Sequence, residues 1–175
     1  ILLFSEGHIH DMQEFDIAGK EHDELLEIIV GFLKRHSLEV PELEWVVTVC
    51  GPGGFTSTRI VSLIVNTWRS LYHLPTQSLT LFDVFEKAGW KYPMCVKANR
   101  GEYLLQTSKK SVPYICSLQD VPDGMYAWIG DISDFADRNI SIQSHIEYSS
   151  LISEFIFMAE DKNIEPYYIK KPNIT

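Results

Sequence analysis

The spacing of hydrophobic and polar residues changes along the chain, beginning with two short strand patterns. In ILLFSEGHIHDMQEFDI, apolar residues flank the Glu6-Gly7 pair, which predicts two strands joined by a tight turn. Over residues 20–36 the apolar side chains recur at helical spacing, with acidic residues in the first turn and basic residues in the last. These charges complement the helix dipole at both ends, so the pattern predicts a helix.

The middle of the chain continues to alternate between strand and helix patterns. Residues 44–50 are rich in β-branched side chains and predict a short strand buried on both faces. Residues 56–72 again show helical spacing, and Pro75 ends this second helix. The segment TLFDVFEKAG predicts a third helix, with Thr80 as its N-cap and Gly89 just beyond its C-terminus.

The second half of the chain is shorter and richer in strand patterns. YPMCVKANRGEYLLQTS predicts a hairpin with a turn at residues 99–101, and VPYICSL and MYAWIGDI predict further strands. SSLISEFIFMAE predicts a helix, and IEPYYIKKPNIT an extended tail. The sequence thus predicts an α/β fold with mixed sheets and flanking helices in two small lobes, residues 1–90 and 91–175, divided near Gly89 to Pro93.

Amino-acid composition and net charge argue against two classes of protein, those that bind nucleic acid alone and those that span a membrane. The 175 residues are 45% hydrophobic, enough for a substantial core, and the formal net charge is −9. An acidic surface repels nucleic-acid backbones, which argues against binding to nucleic acid by this chain alone. No apolar segment approaches the ~20 residues that span a bilayer, so we expect no membrane association. The three cysteines, Cys50, Cys95 and Cys116, include no C-x-x-C pair and predict buried free thiols in a reducing cytoplasm.

A glycine-rich turn, Gly51-Pro52-Gly53-Gly54, lies between the predicted strand at 44–50 and the second helix. A helix N-terminus after such a turn is a general anion site. The turn nevertheless lacks the lysine of a P-loop and the spacing of a dinucleotide fingerprint. Arg59 could contact a phosphate or pair equally well with a carboxylate. We therefore interpret the turn as a rigid bend that orients the helix, with a catalytic nucleotide site as the weaker alternative.

Four segments resemble one protein family. GPGGFTSTRI is similar to the G-P-G-S-F-T-G-x-R-I signature of the TsaB (YeaZ) family of tRNA threonylcarbamoyladenosine biosynthesis proteins. KEHDELLEIIVGFL, KANRGEYLL and IEPYYIKKP resemble, in the same order, a helix before the signature, a hairpin after it and a closing segment. The departures are Gly53 for serine, Ser57 and Val61 for glycines, and Lys97 for aspartate. By this resemblance, the family's first strand would precede Ile1.

The resemblance implies an actin-like (ribonuclease H-like) fold and a cytoplasmic, non-catalytic subunit. Such a subunit pairs with a TsaD-like protein, which would hold the ATP and the divalent metal, so none is expected on this chain. With a TsaE-like ATPase, the pair transfers threonylcarbamoyl to N6 of an adenosine beside the tRNA anticodon. By this resemblance, tRNA contacts would arise only within the complex.

The same resemblance places the partner interface on the two helices around the signature. The candidate interface residues are His22, Leu25, Leu26, Ile29, Arg59, Ile60, Leu63, Ile64 and Trp68. The candidate turn residues are Gly51, Pro52, Gly53, Gly54, Phe55 and Thr56. Packing into this chain's own core could absorb the apolar residues instead, and a homodimer could use the same helices. An independent actin-like ATPase or a glycoprotease-like peptidase is the alternative function.

Other groups of polar residues predict no site. His8 and His10 have a spacing that zinc can use, but no third ligand is identifiable, and an exposed strand face is the simpler interpretation. Asp131, Asp134 and Asp137 are typical of a solvated loop. No serine, histidine and aspartate can be assigned to a catalytic triad. We therefore expect neither a catalytic residue nor a metal ligand on this chain.

Overall fold

The computed structural model describes residues 1–15, 24–99, 101–127, 140–143, 146–153 and 162–169. The chain folds as two units, Ile1–Thr80 with Ile152–Tyr168, and Leu81–Leu151 with Ile169–Thr175. Each unit combines helices with small sheets, which confirms the mixed α/β prediction. The first unit includes a late segment of the sequence, and the boundary region predicted at Gly89 to Pro93 lies inside the second unit.

The first unit contains a hairpin and a parallel strand pair. Its elements are β1 (Leu2–Ser5), β2 (His8–Met12), α1 (Leu25–Arg35), β3 (Val46–Gly51), α2 (Phe55–Tyr72) and β4 (Thr76–Thr80). β1 and β2 pair antiparallel across the predicted turn, where Glu6 and Gly7 both have positive φ. β3 and β4 pair in parallel, and α2 makes the crossover between them.

β4 corrects the prediction for residues 76–80. Thr80, expected to cap the third helix, is the last residue of β4 and pairs with Gly51, while the helix α3 occupies Leu81–Lys87. The segment TQSLT is polar and shows little hydrophobic alternation, so its sequence does not predict a strand. Thr76 and Gln77 are buried, and it is the tertiary pairing with β3 that makes the segment a strand.

The prediction that the strand at 44–50 is buried on both faces is wrong at Val49. The Val49 side chain is 41% exposed, whereas its neighbours Thr48 and Cys50 are buried. Successive side chains of a strand point to opposite faces, so only one face of β3 is well covered by the described part of the chain.

One apolar cluster holds both helices of the first unit. Phe32 and Leu33 of α1, Trp68 of α2, and Val40 and Leu74 from the connections form this buried cluster. Because α1 and α2 share it, their relative position is fixed by side chains that water does not reach. No helix in the described ranges combines the length and apolar character needed to cross a membrane.

The second unit is built around a three-stranded antiparallel sheet, in the order β5-β6-β7. After α3, its elements are β5 (Met94–Asn99), β6 (Glu102–Gln106), β7 (Tyr114–Ser117), β8 (Gly124–Ala127), β9 (Ile140–Gln143) and α4 (Tyr148–Ser153), whose last residues belong to the first unit. β8 and β9 pair in parallel. Gly89 has φ +80° and donates to the Glu86 carbonyl, which confirms its predicted place after α3.

All three cysteines are free and buried, as predicted. Cys95 and Cys116 lie in the apolar cluster of the second unit with Tyr103, Leu105 and Val121. Burial raises the pKa of the Cys95 thiol to about 12 and raises that of Cys116 as well. The Cys50 thiol, in the first unit, donates to the Leu79 carbonyl at 3.3 Å.

We therefore expect a thiol reagent to find no fast-reacting cysteine in the native protein. The thiolate is the reactive form, and burial disfavours it as well as access to it. Titration with a chromogenic disulfide at about pH 8 should release colour only slowly from native protein, and rapidly from all three thiols in denaturant. A stoichiometric burst from the native protein would contradict this placement.

Candidate docking surface

Pro52, Gly53 and Gly54 connect β3 to α2, and Gly51, the first residue of the predicted turn, is the last residue of β3. α2 begins at Phe55 with Gly54 as its N-cap, and no side chain caps this end. The Thr58 N–H and hydroxyl groups both donate to the Gly54 carbonyl, at 3.0 and 3.1 Å. The strand therefore passes into the helix within a few residues, and the first turn of α2 lacks a side-chain cap.

Gly51 has two reasons to be glycine. Its φ of +129° lies in a region that side-chain-bearing residues rarely adopt. A Cβ atom at Gly51 would also lie 2.6 Å from the carbonyl oxygen of Tyr167. The Tyr167 N–H donates to the Cys50 carbonyl at 2.8 Å, which holds the late segment against the end of β3. The turn is thus shaped partly by residues more than a hundred positions away in the sequence.

The closing segment, residues 162–168, lies along α2 and is held there by polar and apolar contacts. The Asn66 side chain pairs with the backbone of Ile164, donating to its carbonyl at 2.9 Å and accepting from its N–H at 2.8 Å. The Ile164 side chain is buried with Cys50 and Val65. Sequence reasoning did not identify Asn66, and its only signal was one amide within a largely apolar helix.

α2 has one buried side and one exposed side. Thr58, Ser62, Val65 and Trp68 face the interior. The opposite side, called here the docking face, contains Thr56, Arg59, Ile60, Leu63, Thr67 and Leu71. Leu63 and Leu71 are 67% and 65% exposed, so most of each apolar side chain is open to a binding partner.

The predicted interface residues divide between this exposed side and the core. Leu63, Leu26 and Arg59 are exposed, and Ile29, Ile60 and Ile64 are half-buried. Leu25 and Trp68 are each 8% exposed, so they support the helices from inside. His22 lies outside the described residues. Among the turn residues, Gly51 is buried and Pro52 half-buried, whereas the remainder of the set is exposed: Gly53, Gly54, Phe55 and Thr56.

An open groove of about 440 Å³ runs between the start of α2 and the closing segment. Its walls include Phe55, Ile60 and Leu63 from α2 and Ile164 and Pro166 from the closing segment. The Arg59 guanidinium lies over the Phe55 ring, 5.1 Å from its centroid, and the Phe55 ring lies 5.0 Å from that of Tyr168. The groove is therefore mostly apolar, with the Arg59 cation held at its edge by the Phe55 ring.

The C-terminus of α1 is attached to the hairpin by a polar contact. His36 Nε2 and Asp11 Oδ2 are 2.8 Å apart, and Arg35 bonds Gln13. The hydrogen bond from His36, more than any other interaction, lowers the pKa of the Asp11 carboxyl below its ordinary value. This contact fixes the C-terminal end of α1, whereas the exposed Leu26 lies at the N-terminal end.

The contact between Asp11 and His36 should make the free energy of unfolding depend on pH in the acidic range. The pKa of Asp11 is lower in the folded protein than its ordinary value of 3.8. The ionised carboxylate therefore stabilises the fold at pH values above 3.8, and this stabilisation is lost as pH falls through the lower native pKa. We expect Asp11→Asn to lower the urea midpoint near neutral pH and the gap from the parent to narrow below about pH 4. Glu6→Gln, at the exposed hairpin turn, is the control. A gap that stays constant with pH would contradict the assigned contact.

The polar residues considered as metal ligands do not form a site in the described ranges. No cluster of three or more metal-ligating side chains occurs among those residues. His8 is exposed, and His10 bonds the Ser5 hydroxyl at 2.6 Å. Asp131, Asp134 and Asp137 lie outside the described residues. What the described arrangement can do is bind: it presents an apolar helix face beside a groove with one cation.

The fold resembles solved structures of YeaZ. YeaZ from Pseudomonas aeruginosa aligns with a TM-score of 0.63 and 14% identity, covering 87% of this chain and 83% of its own. An uncharacterized protein with similarity to peptidase YEAZ from Pseudomonas aeruginosa has the same TM-score and identity, over 87% of this chain and 82% of its own. No protein-family model matches the sequence, and no curated protein matches it. At this identity the likeness shows a common fold.

Proposed function

We propose that this chain is a divergent TsaB (YeaZ) protein that acts as a non-catalytic subunit. It pairs with a TsaD-like protein, which supplies ATP and metal chemistry, and with a TsaE-like ATPase in a larger complex. The complex transfers threonylcarbamoyl to N6 of an adenosine beside the tRNA anticodon, in the cytoplasm, and tRNA is contacted only there. The fold shared with YeaZ and the four resembling segments support this family assignment.

The single observation that carries the docking role is the exposed apolar side of α2. Leu63 and Leu71 stand two helical turns apart on that side, and each is about two-thirds exposed. Burying such a side chain against another protein contributes about 1.5–3 kcal/mol. A partner helix laid along the docking face would cover both, and the shared core beneath α1 and α2 keeps the face rigid.

The turn supports a docking role better than a catalytic one. It has no lysine that could reach a terminal phosphate, and its glycines serve the bend and the approach of the closing segment. The proposal therefore assigns the reaction to the partner and the positioning of a helix to this chain.

The test is to titrate the purified chain with the TsaD-like protein of the same organism by calorimetry. We expect a one-to-one complex and, in a parallel titration of the chain alone with ATP and Mg²⁺, no turnover. ATP hydrolysis or peptide cleavage by the chain alone would favour the independent enzyme and overturn the proposal. Sedimentation with and without the partner tests the homodimer alternative. A homodimer and the complex would compete for one surface, so the partner should dissociate any homodimer.

A further inference from the structure

The charges of α2 differ from those of the whole chain. The formal net charge is −9, yet this 18-residue helix contains Arg59 and Arg69 and no aspartate or glutamate. Its N-terminus, beside Arg59, adds the partial positive charge of the helix dipole. The start of the docking face is thus a small positive area on an acidic protein.

Arg59 and Arg69 are used differently. Arg69 donates to the Asn163 side chain at 3.2 Å and so helps to hold the closing segment. Arg59 is exposed and stacks on Phe55, and it forms no ion pair with any residue that the structure describes. Stacking on a ring restricts the guanidinium while leaving its N–H donors able to bind an anion.

A second polar group beside Arg59 lacks a partner. Ser62 is 3% exposed and contributes to the groove wall, and its hydroxyl finds no hydrogen-bond partner among the described residues. A buried hydroxyl without a partner is unfavourable by about 1–3 kcal/mol. A polar group bound in the groove beside Arg59 would satisfy this hydroxyl once the Ser62 side chain turned toward the groove.

We propose that this groove binds an aspartate or glutamate side chain of the docking partner. The carboxylate pairs with Arg59 at the start of α2, and an apolar residue next to it in the partner covers Ile60 and Leu63. This inference rests on the proposed function, and it specifies that the partner carries an acidic residue beside an apolar one. Arg59 then selects the partner, and Leu63 and Ile60 supply most of the buried area.

Charge complementarity favours a different protein over a second copy of this chain. A symmetric contact of α2 with α2 would provide no carboxylate, because neither helix contains one, and α1 would add only Glu27. It would also bring together two molecules that each have a net charge of −9. The partner therefore offers acidic groups locally, whatever its overall charge.

The test compares two arginine variants that remove the same charge from one helix. Arg59→Gln should weaken binding of the TsaD-like protein by about 10- to 100-fold, as expected for a lost charge-assisted hydrogen bond. Arg69 does not line the groove, and glutamine keeps an amide donor for Asn163, so Arg69→Gln should change the dissociation constant by less than about threefold. The Arg59→Gln effect should shrink in about 1 M NaCl, where an exposed ion pair is screened.

Two outcomes separate this inference from the proposed function. If Leu63→Asp abolishes binding while Arg59→Gln and Arg69→Gln behave alike, the docking face stands and the carboxylate site is wrong. If Leu63→Asp leaves binding intact, the docking role itself fails. A homodimer of the chain alone that is lost in Arg59→Gln would overturn the choice of a different protein as the occupant.

Discussion

Gly51→Ala is expected to destabilise the first unit by about 3 kcal/mol, a large effect for the addition of one methyl group. The alanine would have to adopt a φ of +129°, which residues with a side chain rarely do. Its methyl carbon would also lie 2.6 Å from the Tyr167 carbonyl oxygen. The clash is between a Cβ atom and a backbone oxygen, and neither is at the end of a flexible side chain. The backbone must therefore move. Movement of Tyr167 would lengthen its hydrogen bond to Cys50 and loosen the closing segment from α2.

Gly7→Ala is the matched control for this prediction. Gly7 belongs to the same unit and has φ +76°, but a Cβ atom there meets nothing within 4 Å. Gly7→Ala should lower the free energy of unfolding by only about 1 kcal/mol, the usual penalty for an L-residue in the left-handed region. Far-UV circular dichroism during urea unfolding measures both variants. Equal midpoints for Gly51→Ala and Gly7→Ala would show that the closing segment does not constrain the turn.

Leu63→Asp is expected to weaken binding of the proposed TsaD-like partner by more than about a hundredfold without unfolding the chain. Leu63 is 67% exposed in the isolated protein, so a carboxylate there remains hydrated and the fold is kept. In the complex the same carboxylate would be buried against apolar side chains, with the loss of its hydration. Calorimetry gives the affinity, and thermal unfolding of the free protein shows that the fold is intact.

Two further aspartate variants make the Leu63 result specific. Val112→Asp places the same charge on another exposed apolar residue, 80% exposed and in the second unit, and should leave binding unchanged. Trp68→Asp should instead unfold the first unit, because Trp68 lies in the cluster with Phe32 and Leu33. Loss of binding in Val112→Asp would point to a general effect of charge and contradict the docking face.

The closing segment connects the Gly51 turn to the docking face. The closing segment bonds β3 at Cys50 and α2 at Asn66, so it ties the strand, the turn and the helix together. The turn can therefore set the direction of α2 without a side-chain cap at the helix start. Rigidity of this kind favours association, since little conformational freedom is lost when a partner binds.

The sequence by itself determined the elements whose signals are local. Helical spacing and charges at both ends predicted α1, and the Glu6-Gly7 pair predicted the hairpin, because dipole and turn chemistry act within a few residues. Gly89 was likewise placed correctly after α3. The glycine-rich signature located the start of α2 and pointed to a fold that the YeaZ structures share.

Only the tertiary structure decided which apolar residues of the helices remain exposed. Leu63 and Trp68 have similar hydrophobicity and both fit the helical pattern, yet one is exposed and the other lies in the core. The strand at Thr76–Thr80 and the pairing of Asn66 with Ile164 also had no local signal. In each case the deciding partner lies far away in the sequence, and burial depends on what packs against a residue in space.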